Sequence, residues 1–479
     1  MRSSPIVLAI DAGSTSAKAQ CFDPAGRALG PAVRSPVAVG PDGTADPAAF
    51  VASVEAAVDE GLRRWPDPID AVALSCAWHG LVGLGTDGEP VTRLSTWAAT
   101  GAEVLAGAVE LRRRLEPCDI ELIRRRTGAP IHPSFPAARL LAEAVRDPAA
   151  FAATTRWCSI GELLETRWLV GAPGPSSSMA SATGLFHQEK GSWDADVLLA
   201  LGLRPETLAA VDDSPRRTLT PPYRDRWPTL ADAVWWPAIG DGAAAIVGTG
   251  CGDGRRAALT IGTSAAVRVL ATEAERAARP AGLFAYLVDR ERVVLGAARS
   301  NAGNLVPWLS ATLKIDGDLL SEVVARPPGS HGLHAVPSLA GERSPEWPLT
   351  ASGSLSGLHL DTTALDIAQA FFEAAACGLA DAIDSLEAAV PVAGGALQLV
   401  GSGRALVSSP AWRQLIADAT GRPLVPSRVE EASARGAALV ALDGLGWRDL
   451  VPDENLDGEP VRPNAERAAV FARLRSSPG

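Results

Sequence analysis

Lysine is nearly missing from this 479-residue chain, occurring only at 18, 190 and 314. A P-loop needs a lysine directly after glycine. None of the three follows one, so that class of nucleotide binder is excluded. Cysteine is sparse and scattered (21, 76, 118, 158, 251 and 377), with no C-x-x-C pair and no zinc-ligand spacing. A chain of this length does not need disulfides, and the thiols read as reduced residues of a cytoplasmic protein. Long apolar runs are absent too. Trp168–Gln188 and Ala388–Gly403 carry no charge but are broken by Gly, Pro and Ser, so neither reads as a spanning helix. Ile6–Ile10 is too short, and too soon followed by Asp11, to be a secretory signal. Positive charge is not in excess: 44 basic against 55 acidic side chains gives −11. That argues against a general binder of nucleic-acid backbones, while an anionic substrate needs only a few local donors. What is present, 47% hydrophobic and 21% charged residues, is a globular composition.

Strands alternate with helices along the chain, which predicts an α/β class. Pro5–Ile10 and Ala19–Asp23 read as two strands joined by a Gly/Ser/Thr-rich loop, a hairpin. Ala48–Arg64 has helical periodicity through Phe50, Val54, Ala57, Val58 and Leu62, and Ile69–Ser75 is a further buried strand. Residues 100–236 are mainly helical with Pro-rich joints. The strand–small polar loop–strand form returns at Ala257–Ile261, Gly262-Thr263-Ser264 and Ala265–Leu270. Two such hairpins about 250 residues apart suggest a duplicated architecture. Ala364–Glu387 and Pro410–Thr420 are predicted helices, Ala396–Val400 a strand, and Glu431–Leu442 a small-residue helix able to pack closely.

Generic signatures fail where they can be tested. A dinucleotide fingerprint needs G-x-G-x-x-G; Gly401-Ser402-Gly403 and Gly248-Thr249-Gly250 both lack the last glycine. His331 and His334 form an H-x-x-H, but in a Pro/Gly loop without a third ligand, and read as solvated. More informative is Asp11-Ala12-Gly13-Ser14-Thr15-Ser16, which sets a carboxylate at a strand end beside a turn of small residues. Such a turn can cradle phosphate oxygens with bare amides, and the carboxylate is placed to hold Mg²⁺. An ordinary hairpin turn has the same composition, so this motif alone leaves both readings open.

The ordered set of motifs resembles the FGGY carbohydrate kinases, most like the gluconokinase-type branch. It runs through Ile10–Lys18, Thr127–Pro133, Ala180–Leu185, Gly240–Gly242, Thr260–Ser264, Gly341–Trp347, Pro410–Gln414 and Glu431–Ala438. The resemblance implies two actin-like ATPase (ribonuclease H-like) domains with an active-site cleft between them. Here they are expected at 1–236, with the acceptor side and the first phosphate loop, and at 237–479. It implies ATP and Mg²⁺ as cofactors and Asp241 as the base that deprotonates the acceptor hydroxyl. Asp241 also suits a helix N-cap. Asp11, Gly13, Ser14, Thr15 and Lys18 match the first phosphate loop, Gly262, Thr263 and Ser264 the second, and Gly401 and Gly403 the adenosine contact. Asp11 and Asp241 would share the metal. The acceptor is expected at Trp78, His79 and Gly80, where an imidazole can bond a sugar hydroxyl and an indole offers a flat wall. A histidine satisfied at a strand end is the plain alternative for His79.

Departures from the family pattern fall on the acceptor side. Trp97 is followed by Ala98-Ala99-Thr100-Gly101 where an acidic residue and an arginine are usual. Ser176-Ser177-Ser178 stands where Asp is common, and Arg404 where a further Gly is usual. The expectation is an ATP-dependent kinase for a hydroxyl of a small sugar, sugar acid or cyclitol, with an acceptor bulkier or less acidic than gluconate. Two alternatives stay open: a degenerate kinase fold that senses a sugar or nucleotide without turnover, and an assembly or chaperone protein of the same ATPase fold. The expected partner is a small polyhydroxylated molecule, with no nucleic acid or membrane; a homodimer is left open.

Overall fold

The computed structural model describes residues 4–171, 173–272, 281–390, 396–448 and 456–476. They form two compact units. One comprises Met1–Gly248 with Ala285–Val294 and Glu431–Pro452; the other comprises Thr249–Phe284 with Leu295–Glu430 and Asp453–Gly479.

The first unit is built on a five-stranded sheet in the order Val234–Gly240, Ala71–Cys76, Val7–Ala12, Ser16–Phe22, Val33–Pro36. The first three strands are mutually parallel, and the hairpin partner Ser16–Phe22 is antiparallel. Val7–Ala12 and Ala71–Cys76 are buried throughout, which is why they read as continuous apolar runs rather than alternating ones. The Pro47–Arg64 helix starts with Pro at its first turn and an Asp46 cap accepting the Ala49 amide at 2.8 Å. It buries Phe50, Val54, Ala57 and Val58, at roughly 1.5–3 kcal/mol for each large apolar side chain.

The other sheet runs Phe284–Leu287, Arg292–Arg299, Ala265–Thr272, Arg256–Ile261, Gln398–Ser402, Leu424–Pro426. Arg256–Ile261 again pairs antiparallel with its hairpin partner and parallel with the strand on its other side, and that strand pairs parallel with the next. Each sheet thus repeats one motif, a hairpin flanked by two parallel strands, so the duplication read from the sequence is present.

The Ala432–Leu445 helix, predicted from its small residues, packs on the Asp241–Gly248 helix with backbones almost touching. A Cβ on Gly436 would lie 1.7 Å from the Ala244 carbonyl oxygen, and one on Gly248 1.8 Å from that of Ala432. Asp241, which the sequence reading placed with the 237–479 half, therefore belongs to the first compact unit. The expectation for His331 needs correction. Its side chain is buried, with Nε2 3.2 Å from Glu373 and Nδ1 accepting the Leu333 amide at 2.9 Å. Among the described residues no helix is long and apolar enough to cross a membrane.

Candidate active site

Parallel strands present their carboxyl ends along one edge of the first sheet, the usual place for ligands in such sheets. Register puts Asp11 beside Ser75, Ala12 beside Cys76, and Cys76 beside Gly240, so Asp11 and Asp241 close the two strands that flank Ala71–Cys76. Asp11 is buried and accepts from Ser75 Oγ at 2.9 Å and from Lys18 Nζ at 3.1 Å. Lys18 also meets Glu431 at 3.0 Å, and Arg34 pairs with the same carboxylate. Burial opposes the Lys18 charge, but Asp11 and Glu431 outweigh it and hold the ammonium above its ordinary range. The four charges cancel. Between the strands, burial pushes the Cys76 thiol well up, reinforced by the carboxylates of Glu165, Asp11 and Asp241.

Asp241 begins its helix half-buried. Its Oδ1 accepts from the Gly242 amide at 2.8 Å and the Trp78 amide at 3.4 Å, and its backbone carbonyl from Ser433 Oγ at 3.4 Å. In the turn after Asp11, Gly13 and Ser14 are half-buried and Thr15 is exposed. Trp97 Nε1 stands 3.4 Å from Ser14 Oγ, so the segment that departs from the family pattern still touches the first loop.

Trp78 and His79 are both held in place by neighbouring segments. The Trp78 ring is 5% exposed, donates to the Ser178 carbonyl at 3.2 Å and meets Tyr286 edge-on at 4.9 Å. It is a wall held from behind. His79 is half-buried at φ 65°, in the left-handed region that non-glycine residues rarely adopt. Its Nδ1 lies 2.7 Å from the Ala182 carbonyl. A carbonyl only accepts, so Nδ1 carries the proton. Phe135 and Tyr286 pack edge-on against this ring at 4.7 and 5.5 Å. Gly80 is glycine for packing: a Cβ there would sit 2.5 Å from Ile160.

Arg139, central to this region, carried no readable signal. Arg139 is 2% exposed, and its hydrogen bonds end on neutral oxygens: the carbonyls of His79 (2.5 Å), Ser95 (3.3 Å) and Ser134, and Ser95 Oγ (3.3 Å). Desolvation alone lowers its pKa to about 9. It ties the segments around His79 and Ser95, distant in sequence, to Ser134 just before its own helix. Ser178 Oγ accepts the Gly240 amide at 3.1 Å, and Ser176 Oγ donates to the Ala238 carbonyl. The Thr127–Pro133 and Ala180–Leu185 motif matches, and the Ser176-Ser177-Ser178 departure, pointed toward these neighbourhoods.

In the other unit, the Gly262–Ser264 turn follows, and Gly401-Ser402-Gly403 ends, adjacent parallel strands, bridged by Thr260 Oγ1 and Ser402 Oγ at 2.9 Å. Thr263 is exposed, and its carbonyl accepts the Asn304 amide at 3.0 Å. Gly401 and Gly403 have packing reasons of their own. A Cβ would meet Leu406 at 2.4 Å or the Ile261 carbonyl oxygen at 2.5 Å, and Gly403 has φ 86°. Among the described residues no cluster of three or more His, Cys, Asp or Glu side chains could hold a metal.

Comparison with known proteins gives two family matches. Residues 6–221 match the N-terminal domain, and residues 257–443 the C-terminal domain, of the FGGY family of carbohydrate kinases. An apulose kinase from Pectobacterium atrosepticum is 29% identical over 98% of this chain and 96% of its own length. A gluconokinase from Bacillus licheniformis is 25% identical over 98% of this chain and 94% of its own. Among solved structures, a gluconate kinase from Lactobacillus acidophilus superposes with a TM-score of 0.85 at 24% identity, covering 99% of this chain and 96% of that one.

Proposed function

The chain belongs to the FGGY family of carbohydrate kinases, and from that premise we propose that Asp241 takes the proton from an acceptor hydroxyl as it attacks the γ-phosphate of ATP. The observation that carries this reading is the strand-end pairing of Asp11 and Asp241 across Ala71–Cys76. The Gly242 and Trp78 amides fix the Asp241 carboxylate at Oδ1, which favours a single orientation toward an incoming hydroxyl. Preorganised geometry of this kind supplies most of the catalysis in phosphoryl transfer.

On the nucleotide side, Gly13, Ser14, Thr15 and Lys18 would cradle phosphate oxygens, with Gly262 and Thr263 as the second phosphate loop and Gly401 and Gly403 against adenosine. Two carboxylates at strand ends on either side of Ala71–Cys76 suit Mg²⁺, which takes one or two protein carboxylates and completes its shell with phosphate and water. Asp11 and Asp241 would hold it, and the ion would neutralise charge on the phosphates. Because Lys18 and Ser75 already bond Asp11, that carboxylate is oriented before any ion arrives.

The acceptor we propose is a neutral polyol, unusual sugar or cyclitol. His79 would hydrogen-bond a substrate hydroxyl through its imidazole. The serines at 176 and 178 are spent on the Val234–Gly240 strand and add no charge. Asp241→Asn tests the assignment, since the amide oxygen can still accept both backbone N–H groups. ADP release across a panel of polyols, sugar acids and cyclitols is expected to fall about 10²–10⁴-fold with ATP binding retained. Undiminished turnover would refute the role of Asp241.

A further inference from the structure

The strand that ends at Asp241 does not pair evenly with its neighbour. Trp236 lies opposite Ala73, but Ile239 lies opposite Ser75, so three steps along one strand match two along the other. One extra residue is accommodated at Pro237-Ala238. Pro237 has no N–H to give, and the Ala238 amide goes instead to Glu165 Oε1 at 3.0 Å. The Ala238 carbonyl accepts from Ser176 Oγ. Glu165 comes from the Ile160–Trp168 helix, whose Gly161, one turn earlier on the same face, lies so close that a Cβ would be 2.7 Å from the Ala238 side chain.

The bulge has a consequence for the strand end. In an unbulged strand every residue after Trp236 would slip by one position, and such a slip sends side chains to the opposite face. Ile239 would then occupy the place opposite Cys76. The residue there must be glycine, because a Cβ on Gly240 would fall 1.8 Å from Trp78 Nε1.

We propose that Glu165 is a positioning residue for phosphoryl transfer: by accepting the Ala238 amide it holds the bulge that seats Gly240 under the Trp78 indole and sets Asp241 at the strand end. The inference rests on Asp241 being the base. Glu165 is 2% exposed, and burial raises its pKa to about 7, with Arg216 opposing and Glu162 and Asp212 adding to the rise. A buried acid retained at such cost fits a specific task. Neutral or ionised, it offers an oxygen to the amide.

The test uses the full chain with Glu165→Ala, Glu165→Gln and Asp241→Asn. Hydrogen exchange of the peptide spanning 234–241 needs no acceptor. It is expected to be slow in the unaltered chain, Glu165→Gln and Asp241→Asn, and at least tenfold faster in Glu165→Ala. Turnover is read as ADP release with the best acceptor among D-gluconate, D-xylulose, glycerol and myo-inositol. Glu165→Ala should lose about 10- to 100-fold in kcat, as expected for a displaced catalytic group, with the KM for ATP within twofold, and Glu165→Gln should recover kcat to within threefold. If Glu165→Ala does not fold, Glu165→Asp, one methylene too short to reach the amide, replaces it with the same expectation. Exchange in the Ala or Asp variant equal to that of the unaltered chain overturns the clamp. An unchanged kcat in a variant that exchanges faster overturns the positioning role, as does a Gln variant as slow in turnover as the Ala variant. An active Asp241→Asn would instead refute the base assignment on which the inference stands.

Discussion

Gly240→Ala is the sharpest steric test of the proposed acceptor side. The added Cβ would stand 1.8 Å from Trp78 Nε1 and 1.9 Å from Cε2. Carbon contacts are most favourable at about 3.5–4.0 Å, so the indole must retreat by about 2 Å. Retreat breaks its hydrogen bond to the Ser178 carbonyl at 3.2 Å, a loss of about 1 kcal/mol. It also parts the edge contact with Tyr286, another ~1 kcal/mol. Overpacking strain in the surrounding core adds about 2 kcal/mol. The expected loss is therefore about 4 kcal/mol, within the roughly 5–15 kcal/mol that keeps a domain folded, so a folded but weakened protein is the outcome. Urea unfolding at constant m-value measures the loss. Because the Trp78 amide also bonds Asp241, turnover should fall with stability, while the KM for ATP should hold within about twofold. A loss below about 1 kcal/mol with unchanged turnover would show that the Trp78–Gly240 contact is not constraining the site.

Two further outcomes follow from the same packing. Gly436→Ala puts a Cβ 1.7 Å from the Ala244 carbonyl oxygen, and since backbone cannot yield as a side chain can, at least about 3 kcal/mol should be lost, read as a drop of several degrees in Tm. Glu165 titrates at about 7 in the folded chain against an ordinary 4.5. The folded state therefore binds more protons between those values, so this group's contribution to stability falls as pH rises from about 4.5 to about 7, by on the order of 3 kcal/mol. Glu165→Gln removes that dependence, and its stability relative to the unaltered chain should rise between pH 5 and pH 8 in urea unfolding; parallel profiles would contradict the assigned burial cost.

The sequence carried those features whose signal is local. Both hairpins, the helix face through Phe50, Val54 and Val58, and the close-packing helix near 432–445 each rest on spacing within one element, and each formed within a few residues of its expected bounds. The helix start at Asp241 was legible because Gly240-Asp241-Gly242 reads as one. The bulge at Pro237-Ala238 was not, since an extra residue is visible only against the partner strand some 160 positions away. Lys18 reaching Glu431, Arg139 holding His79 and Ser95, and Tyr286 against Trp78 are likewise contacts between distant segments. Periodicity reports which face a residue takes, not what it will meet there. His331 failed for that reason: loop composition predicted solvent, and Glu373, 42 positions on, buries it.

The same distinction separates the proposed nucleotide side from the proposed acceptor side. Phosphate cradles are made of consecutive backbone amides, so a short run such as Gly13-Ser14-Thr15 encodes its own shape. The region around His79 is assembled from separated pieces: Phe135 and Tyr286 against its ring, Arg139 on its carbonyl, and Ser178 behind Trp78. Here the changes from the family pattern acquire a physical meaning. Three serines in place of an acid do not leave a gap. Ser176 and Ser178 turn inward and bind the strand that leads to Asp241. With those groups committed to framework, and Trp97 turned to Ser14, the reading proposed above leaves His79 and Asp241 as the main polar contacts for the acceptor. Few polar contacts discriminate weakly between isomers, because specificity of the order of 10⁴ comes from buried groups that the wrong substrate leaves unpaired. Selectivity in such a site must come from the shape set by its aromatic backing, and shape is what Arg139 and the serines hold in place.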